Sequence, residues 1–326
     1  MQHQFNALKR IITVCAAMGL LIAAPAWAAD FPQQGKAIQM LIGYAAGGST
    51  DATCRIMASG LEKALGTSVV PVNKPGASSQ IAYTALAQAK PDGYTIGYAG
   101  IPSLLVSYLD PARKAAYNGK SFEFLGMNVL DPGLLAVRAD SPFKTVKDVI
   151  DAAKANPNKI RVSTTGIQSD DAFAVLQLQK ITGAQFAQVH FSQGVAEAKT
   201  AFLGGKIEVF CANVGDLLPQ FKSGAVRILG IMDDEPSPFY PGVKTFAEQG
   251  YKLYNSALRG YAAPAGTPKE VVKILSGAIK KAVDSEDHKK RMADMGLTLR
   301  YMDSDQFTKT VNEYEGIIKE FLAQMR

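Results

Sequence analysis

The chain has 326 residues, of which 47% are hydrophobic and 20% are charged, and its formal net charge is +6. A charge this small, spread along the chain without a basic and aromatic cluster, argues against a nucleic-acid-binding protein. The length exceeds what one hydrophobic core comfortably serves, so we expect two lobes.

The first 28 residues have the pattern of an export signal. Lys9 and Arg10 precede an apolar run of about 14 residues, and Ala26-Trp27-Ala28 supplies a small-x-small cleavage pattern. A membrane anchor is the alternative, but this run is shorter than the roughly 20 residues that a spanning helix needs. We therefore predict cleavage near Ala28 and a mature protein in the periplasm.

Removal of the signal leaves 33 basic and 29 acidic residues, a net charge of +4, and two cysteines, Cys54 and Cys211. A disulfide is possible in an oxidising compartment. The two cysteines lie in distant segments, however, and two buried thiols are the favoured interpretation.

Predicted strands and helices alternate from residue 38 onwards. Strands are predicted at 38–44, 69–73 and 93–100, and helices at 51–65 and 80–89. This βαβαβ order is typical of a parallel sheet with helices on its faces. Two strand-like runs, 122–129 and 134–140, then follow each other with only "LDPG" between them, and we place the first crossing between lobes near this point.

A second α/β set follows the crossing. Helices are predicted at 146–155, 170–182 and 195–203, and strands at 159–166, 186–192, 206–215 and 226–232. A return strand at 258–268 leads into helices at 269–283, 288–295 and 305–325. Two α/β lobes joined by two crossings form a hinged architecture, which we divide into lobe 1 (29–130 and 260–326) and lobe 2 (131–259).

The sequence lacks the common catalytic motifs. It contains no G-x-G-x-x-G after a strand, no G-x-S-x-G and no H-E-x-x-H. After export only His190 and His288 remain, and the charged segment around His288 predicts a solvated side chain. A hydrolase would depend on His190 with a nearby serine, whereas a structural histidine is the favoured interpretation. We predict no metal site and no cofactor.

Glycine- and hydroxyl-rich turns lie between predicted strands and helices, first in "YAAGGSTD" (44–51) and again in "STTGIQSDD" (163–171). Weaker versions are "FSQGVAE" (191–197) and "NVGD" (213–216). A helix that begins at such a turn directs free amides and the positive end of its dipole at the crevice, so an anion can bind there. The alternative is that Ser49 or Thr50 only caps its helix and the glycines only make a turn.

Two charged residues bear on this anion site. Asp51 either turns away and stabilises its helix, which we favour, or faces the crevice and meets a donor of the ligand. Arg259 is the best candidate for a charge-assisted contact with a second acidic group. A surface or inter-lobe salt bridge is the alternative role for Arg259.

Three segments carry a resemblance to a known family: "IGYAAGGSTD", "VNKPGASSQIAYTALAQAKPDGYTIGYAG" and "YAAPAGTPKEVVKIL". The chain resembles the periplasmic solute-binding receptors of tripartite tricarboxylate transporters, the Bug family, over nearly its whole mature length. The resemblance implies a two-lobed α/β periplasmic-binding-protein fold of type II, with a hinge and a ligand cleft between the lobes. It also implies that the cleft turns hold a ligand carboxylate through main-chain amides. Gly43, Ala46 and "RGY" (259–261) depart from the family pattern, which leaves the substrate open.

Our candidate ligand-binding residues lie mainly in the two glycine turns. They are Tyr44, Ala45, Ala46, Gly47, Gly48, Ser49, Thr50 and Asp51 in the first turn; Ser163, Thr164, Thr165, Gly166, Gln168 and Ser169 in the second; and Ser79, His190, Asn213 and Arg259 elsewhere.

The predicted function is capture of a carboxylate-bearing molecule by lobe closure and its delivery to the large and small membrane subunits of a transporter. We expect a monomer without enzymatic activity. Tyr44, Tyr98, Tyr261 and Phe191 could line a cleft for an aromatic acid such as terephthalate, but an aliphatic di- or tricarboxylate is equally favoured. A receptor for a sensor kinase and a hydrolase using His190 are the alternatives.

Overall fold

The computed structural model describes residues 31–167, 169–191 and 193–324. The predicted signal peptide, with its cleavage site near Ala28, and the candidate ligand residue Gln168 lie outside the described residues. Among the described helices, none combines the length and the apolar character needed to cross a bilayer.

The predicted βαβαβ unit is confirmed. Strand β1 (Ile38–Ile42) pairs in parallel with β2 (Val69–Asn73) on one side and with β3 (Thr95–Ile101) on the other. Helix α1 (Ser49–Leu65) follows β1 and α2 (Gln80–Ala87) follows β2. Gly66 adopts a left-handed conformation and ends α1, which is the usual role of a glycine at this position. A short helix that we did not predict, α3 (Ser103–Leu109), follows β3.

The two strands predicted around "LDPG" are instead one strand, β4 (Phe122–Arg138). Up to Pro132 this strand pairs with β9 (Ser256–Pro264), and from Gly133 onwards it pairs with β7 (Val209–Asn213) and β8 (Val226–Ile231). Pro132 has no amide proton, so it is tolerated at the point where β4 changes partners. A single strand thus runs from one group of strands into the other.

The second α/β set also follows the predicted order. It contains α4 (Val146–Ala155), β5 (Arg161–Thr164), α5 (Asp170–Thr182), β6 (Ala187–His190), α6 (Val195–Leu203) and a short helix α7 (Leu218–Lys222). Strand β5 pairs in parallel with β6 and with β7. The predicted bounds of α4, α5 and α6 match the structure, whereas α7 was not predicted.

Strand β9 returns antiparallel to β3 and β4, and the chain ends with α8 (Lys269–Asp284), α9 (Glu286–Asp294), β10 (Leu299–Met302) and α10 (Ser304–Gln324). We did not predict β10. The expectation of a solvated His288 is also wrong: its side chain is 1% exposed, and its Nε2 lies 3.5 Å from Asn128 Nδ2. Burial lowers the pKa of His288 to about 4.

Each lobe has its own apolar core. Leu41, Leu104, Phe124 and Phe307 belong to one core, which packs helices against β1, β3, β4 and β9. In the second lobe, two hydrophobic clusters pack on the two faces of the sheet that contains β4, β5, β7 and β8. One cluster includes Val149 and Val175, and the other includes Phe202 and Phe210. The lobe limits at 130 and 260 remain predictions, although β4 changes partners close to the first of them.

Candidate functional site

A small cavity lies where the carboxyl ends of β1, β3, β5 and β7 meet. Tyr44 and Ala45 follow β1, Ile101 ends β3, Thr165 follows β5, and Asn213 ends β7. The space open to the centre of a water molecule is about 30 Å³. A buried water needs about 10–15 Å³ on this measure, so the cavity has room for about two waters.

Helix α1 begins at the wall of this cavity. Its N-cap is Gly48, which makes no side-chain capping hydrogen bond, and Gly48, Ser49 and Thr50 all line the cavity. The first amides of a helix have no partner within the helix, and they carry the positive end of its dipole. An uncapped helix start at a cavity is therefore suited to bind an anion.

Arg259 contacts the side-chain hydroxyls of Ser49 and Thr50. Its guanidinium donates hydrogen bonds of 3.0 Å to Ser49 Oγ and Thr50 Oγ1, and it also forms an ion pair with Asp131. Arg259 is 1% exposed and lines the cavity. Because each hydroxyl accepts a bond from Arg259, its own proton is directed to another acceptor. The alternative that we kept open for Arg259 was a surface or inter-lobe salt bridge, whereas this ion pair is buried between β4 and β9.

Asp131 is the buried partner that holds Arg259. Val129 pairs with Arg259 across β4 and β9, which places Asp131 diagonally opposite the arginine on the same face. Asp131 Oδ1 also accepts from the Gly215 amide at 3.1 Å. Burial raises the pKa of Asp131 to about 6, although the neighbouring arginine opposes this rise.

Asp51 turns away from the cavity and binds its own lobe. Its carboxylate accepts hydrogen bonds from Asn73 Nδ2 at 2.8 Å, Arg55 Nε at 3.0 Å and the Gly47 amide at 3.1 Å. Burial alone would raise the pKa of Asp51, but these bonds outweigh it and lower the pKa. The Gly47 amide, which we predicted for the ligand, is thus used within the turn.

The second glycine turn differs from the first because its helix start is capped. Ser169 Oγ accepts from the Ala172 amide at 3.1 Å and donates to the Gly166 carbonyl. The Thr165 amide donates to Asp171 Oδ2 at 3.1 Å. Of the described residues that we predicted between 163 and 169, only Thr165 lines the cavity.

The cavity lining also contains two aspartates. They are Asp170 and Asp216, and Asn213 joins them: its Nδ2 donates to Asp170 Oδ2 and its amide donates to Asp216 Oδ2, both at 2.9 Å. Burial raises the pKa of Asp170. We did not predict either aspartate as a site residue, although both lie in quoted turns. The acidic pair of Asp170 and Asp171 at the start of α5 is a signal that could have identified Asp170, whereas Asp216 stands alone after β7.

The lobes are in contact above the cavity. The Ala45 amide donates to the Gln193 carbonyl at 3.1 Å, and Tyr44 packs on Gly194. A Cβ atom on Gly48 would come within 2.9 Å of Val195 Cγ1. These contacts join the first turn to the start of α6.

The predicted site residues divide into two groups. Those that line the cavity are Tyr44, Ala45, Gly48, Ser49, Thr50, Thr165, Asn213 and Arg259. The structure does not bring the other described candidates to the cavity lining: Ala46, Gly47, Asp51, Ser79, Ser163, Thr164, Gly166, Ser169 and His190. Tyr98 lines the cavity, but Tyr261 and Phe191, which we had considered as aromatic wall residues, do not.

Local contacts account for several residues outside the lining. Ser79 Oγ donates to the Gly43 carbonyl at 3.2 Å, and a Cβ on Gly166 would collide with Ser78. His190 lies exposed at the end of β6, with Nδ1 2.6 Å from Thr164 Oγ1. The described residues contain no group of three or more histidine, cysteine or carboxylate side chains placed to hold a metal.

Comparisons with known proteins identify the family of the chain. The family model for the tripartite tricarboxylate transporter family receptor matches residues 53–322. A UPF0065 protein from the gbd 5′ region of Cupriavidus necator is 32% identical over 98% of this chain and 97% of its own length. Protein BugT of Bordetella pertussis is 26% identical over 94% of both chains.

Solved structures share the fold. A periplasmic transporter protein superposes with a TM-score of 0.85 at 26% identity, covering 90% of this chain and 98% of its own. MatC from Rhodopseudomonas palustris, solved with bound malate, has a TM-score of 0.82 at 25% identity, covering 88% and 99%. The fold is therefore the predicted two-lobed α/β periplasmic-binding-protein fold. The chain belongs to the tripartite tricarboxylate transporter receptor family, the Bug proteins, and is a solute-binding receptor of that family.

Proposed function

We propose that this receptor binds a small molecule through one carboxylate at the start of α1 and closes its lobes around it. The uncapped helix start at the cavity is the observation that carries the proposal. The ligand carboxylate would accept from the first amides of α1 and from the hydroxyls of Ser49 and Thr50. Arg259 orients both hydroxyls and adds positive charge behind them.

The hydrogen-bond donors at the start of α1 are numerous enough to bind a carboxylate with the affinity expected of a receptor. Hydrogen bonds to a charged group contribute about 1.5–3 kcal/mol each. Two or three of them, with some apolar burial and after the cost of association, correspond to micromolar affinity, about −8 kcal/mol. The malate bound to the MatC relative supports an organic acid as the ligand class.

Delivery to a membrane permease with a large and a small subunit is the second part of the proposal, and family membership supports it. We further propose that the chain is exported to the periplasm after cleavage near Ala28 and acts as a monomer. We also propose that it has no enzymatic activity. His190 contacts a threonine hydroxyl and lies outside the cavity lining, which speaks against a serine hydrolase built on it.

Isothermal titration with a panel of carboxylic acids and their neutral amides tests the binding step. We expect at least one acid to bind with micromolar affinity while its amide does not, and we expect no product after prolonged incubation. Uptake of that acid should be lost when the permease genes are deleted. Binding of neutral amides as tightly as acids, or turnover of an ester, would contradict the proposal. Unimpaired uptake together with a transcriptional response to the acid would instead identify a receptor for a sensor kinase.

A further inference from the structure

The turn before α2 contains three consecutive residues in the left-handed backbone region: the φ angles of Ala77, Ser78 and Ser79 are 49°, 51° and 72°. A residue with a Cβ atom is disfavoured in this region, because the Cβ comes too close to the following carbonyl oxygen. Among the described non-glycine residues, only Lys114 and Asn158 also have a positive φ, each of them singly. A run of three is therefore strained, and it persists only where neighbouring contacts hold it.

Contacts within the first lobe hold one side of the turn. Ser79 is fully buried, and its Oγ donates to the Gly43 carbonyl at 3.2 Å. A Cβ atom on Gly43 would come within 2.3 Å of Ser79 Cβ, so only a glycine leaves room for the serine. On the outer side, the Arg113 guanidinium donates to the Ala77 carbonyl, and Gln80 Nε2 donates to the Arg113 carbonyl at 3.1 Å.

Gly166 contacts the other side of the turn. Ser78 is 3% exposed, and a Cβ atom on Gly166 would lie 2.0 Å from Ser78 Oγ. The Gly166 carbonyl accepts from Thr164 Oγ1 at 3.2 Å and from Ser169 Oγ at 3.0 Å, which fixes Gly166 within its own turn. Gly166 follows β5, which pairs with β6 and β7, whereas the strained turn follows β2, which pairs with β1. The contact between Ser78 and Gly166 therefore joins the two lobes.

We propose that the turn Ala77–Ser79 is strained only when the lobes close on a ligand, and that this strain lowers the ligand affinity by opposing closure. The inference rests on the proposed function, because it takes lobe closure around a ligand from it. When the lobes separate, Gly166 leaves Ser78, and the turn is free to relax towards an unstrained backbone. A cost that is present only in the bound state reduces the affinity by the same free energy.

Ala77→Gly tests the proposal. Ala77 is exposed, and Arg113 contacts its main chain, so the substitution relieves backbone strain without removing a buried side chain. We expect calorimetric titration with the tightest acid of the panel to show an affinity about three- to tenfold higher than that of the wild type. Urea unfolding of the ligand-free variant should show no gain in stability. Asn158→Gly, at an exposed residue with a φ of 59° between α4 and β5, is the matched control and should leave the affinity unchanged.

The combined measurements separate the possible failures. Higher stability of the ligand-free Ala77→Gly variant with unchanged affinity would mean that the strain is permanent, and would overturn the inference. Unchanged affinity and unchanged stability would overturn it as well, and in both cases the proposed function stands because the acid still binds. Absence of binding by every acid of the panel would count against both.

A double-mutant cycle tests the contact itself. Gly166→Ala should weaken binding, because its methyl group would meet Ser78 Oγ, and Ser78→Gly in the same chain should recover part of the lost affinity. Purely additive effects of the two substitutions on affinity would show that Ser78 and Gly166 do not meet in the bound state, and would overturn the inference.

Discussion

Arg259 and Asp131 form an ion pair that is fully enclosed between strands β9 and β4, directly behind the start of α1. The guanidinium thereby joins three elements, because its other bonds reach Ser49 and Thr50 on the helix. Because Arg259 is buried and bonded in this way, it holds the hydroxyls of Ser49 and Thr50 in place at the cavity wall.

The enclosed pair makes a prediction about stability. Asp131→Ala leaves Arg259 buried without its counter-ion, so we expect the free energy of unfolding to fall by about 3–5 kcal/mol. Urea unfolding followed by circular dichroism measures this change. Lys63→Ala, which removes one partner of the exposed Lys63–Asp287 pair, is the control and should have little effect. A small effect of Asp131→Ala would mean that water reaches the arginine.

Arg259→Lys tests the orientation of the two hydroxyls. Lysine keeps the charge but lacks the planar fork that reaches Ser49, Thr50 and Asp131 together, so we expect carboxylate affinity to fall about tenfold or more. The fall is measured by calorimetric titration with the tightest acid of the panel. Arg227→Lys, at an arginine that bonds the main-chain carbonyls of Phe143 and Ala139, should leave affinity unchanged. Unaltered affinity in Arg259→Lys would remove the arginine from the binding mechanism.

Substitution of Gly48 tests the contact between the start of α1 and Val195 at the start of α6. A methyl group at Gly48 would lie 2.9 Å from Val195 Cγ1, and the short valine side chain cannot easily move away. We therefore expect Gly48→Ala to weaken ligand binding several-fold because closure is obstructed. The double variant Gly48→Ala/Val195→Ala should recover most of the affinity, and a double-mutant cycle quantifies the coupling. Purely additive effects would show that the two residues do not meet when the ligand is bound.

Buried His288 makes stability depend on pH. Its pKa is about 4 in the folded protein, below the usual 6.5, so the unfolded chain binds a proton more readily as the pH falls. The free energy of unfolding should therefore decrease as the pH is lowered from 6.5 towards 4, by up to about 1.4 kcal/mol per pH unit from this group. His288→Gln should lack that component when urea unfolding is compared at pH 7.5 and pH 5. An identical pH dependence of the two proteins would contradict the assignment.

Much of the fold could be predicted because its signals are local. Thr145 and Asp148 cap the start of α4 by hydrogen bonds to each other's backbone. Ser169 caps the start of α5, and Gly183 ends it. Sequence patterns capture such short-range signals. Strand β4 was divided in two because proline and glycine normally end a strand. Only the change of partners at Pro132 explains its continuity.

The site was harder to predict because its decisive contacts are distant in sequence. Asp131 and Arg259 are 128 positions apart, so the sequence gives no indication that the arginine is already paired. The first glycine turn contributes five residues to the cavity lining: Tyr44, Ala45, Gly48, Ser49 and Thr50. In the second turn, capping by Ser169 occupies the helix start, and the lobe contributes Asp170 and Asp216 instead of amides.

A crystal structure with the tightest-binding acid tests the central claim most directly. We predict that one ligand carboxylate lies at the start of α1, within hydrogen-bond distance of its first amides and of the Ser49 or Thr50 hydroxyl. A ligand bound with its carboxylate away from this helix start would contradict the account.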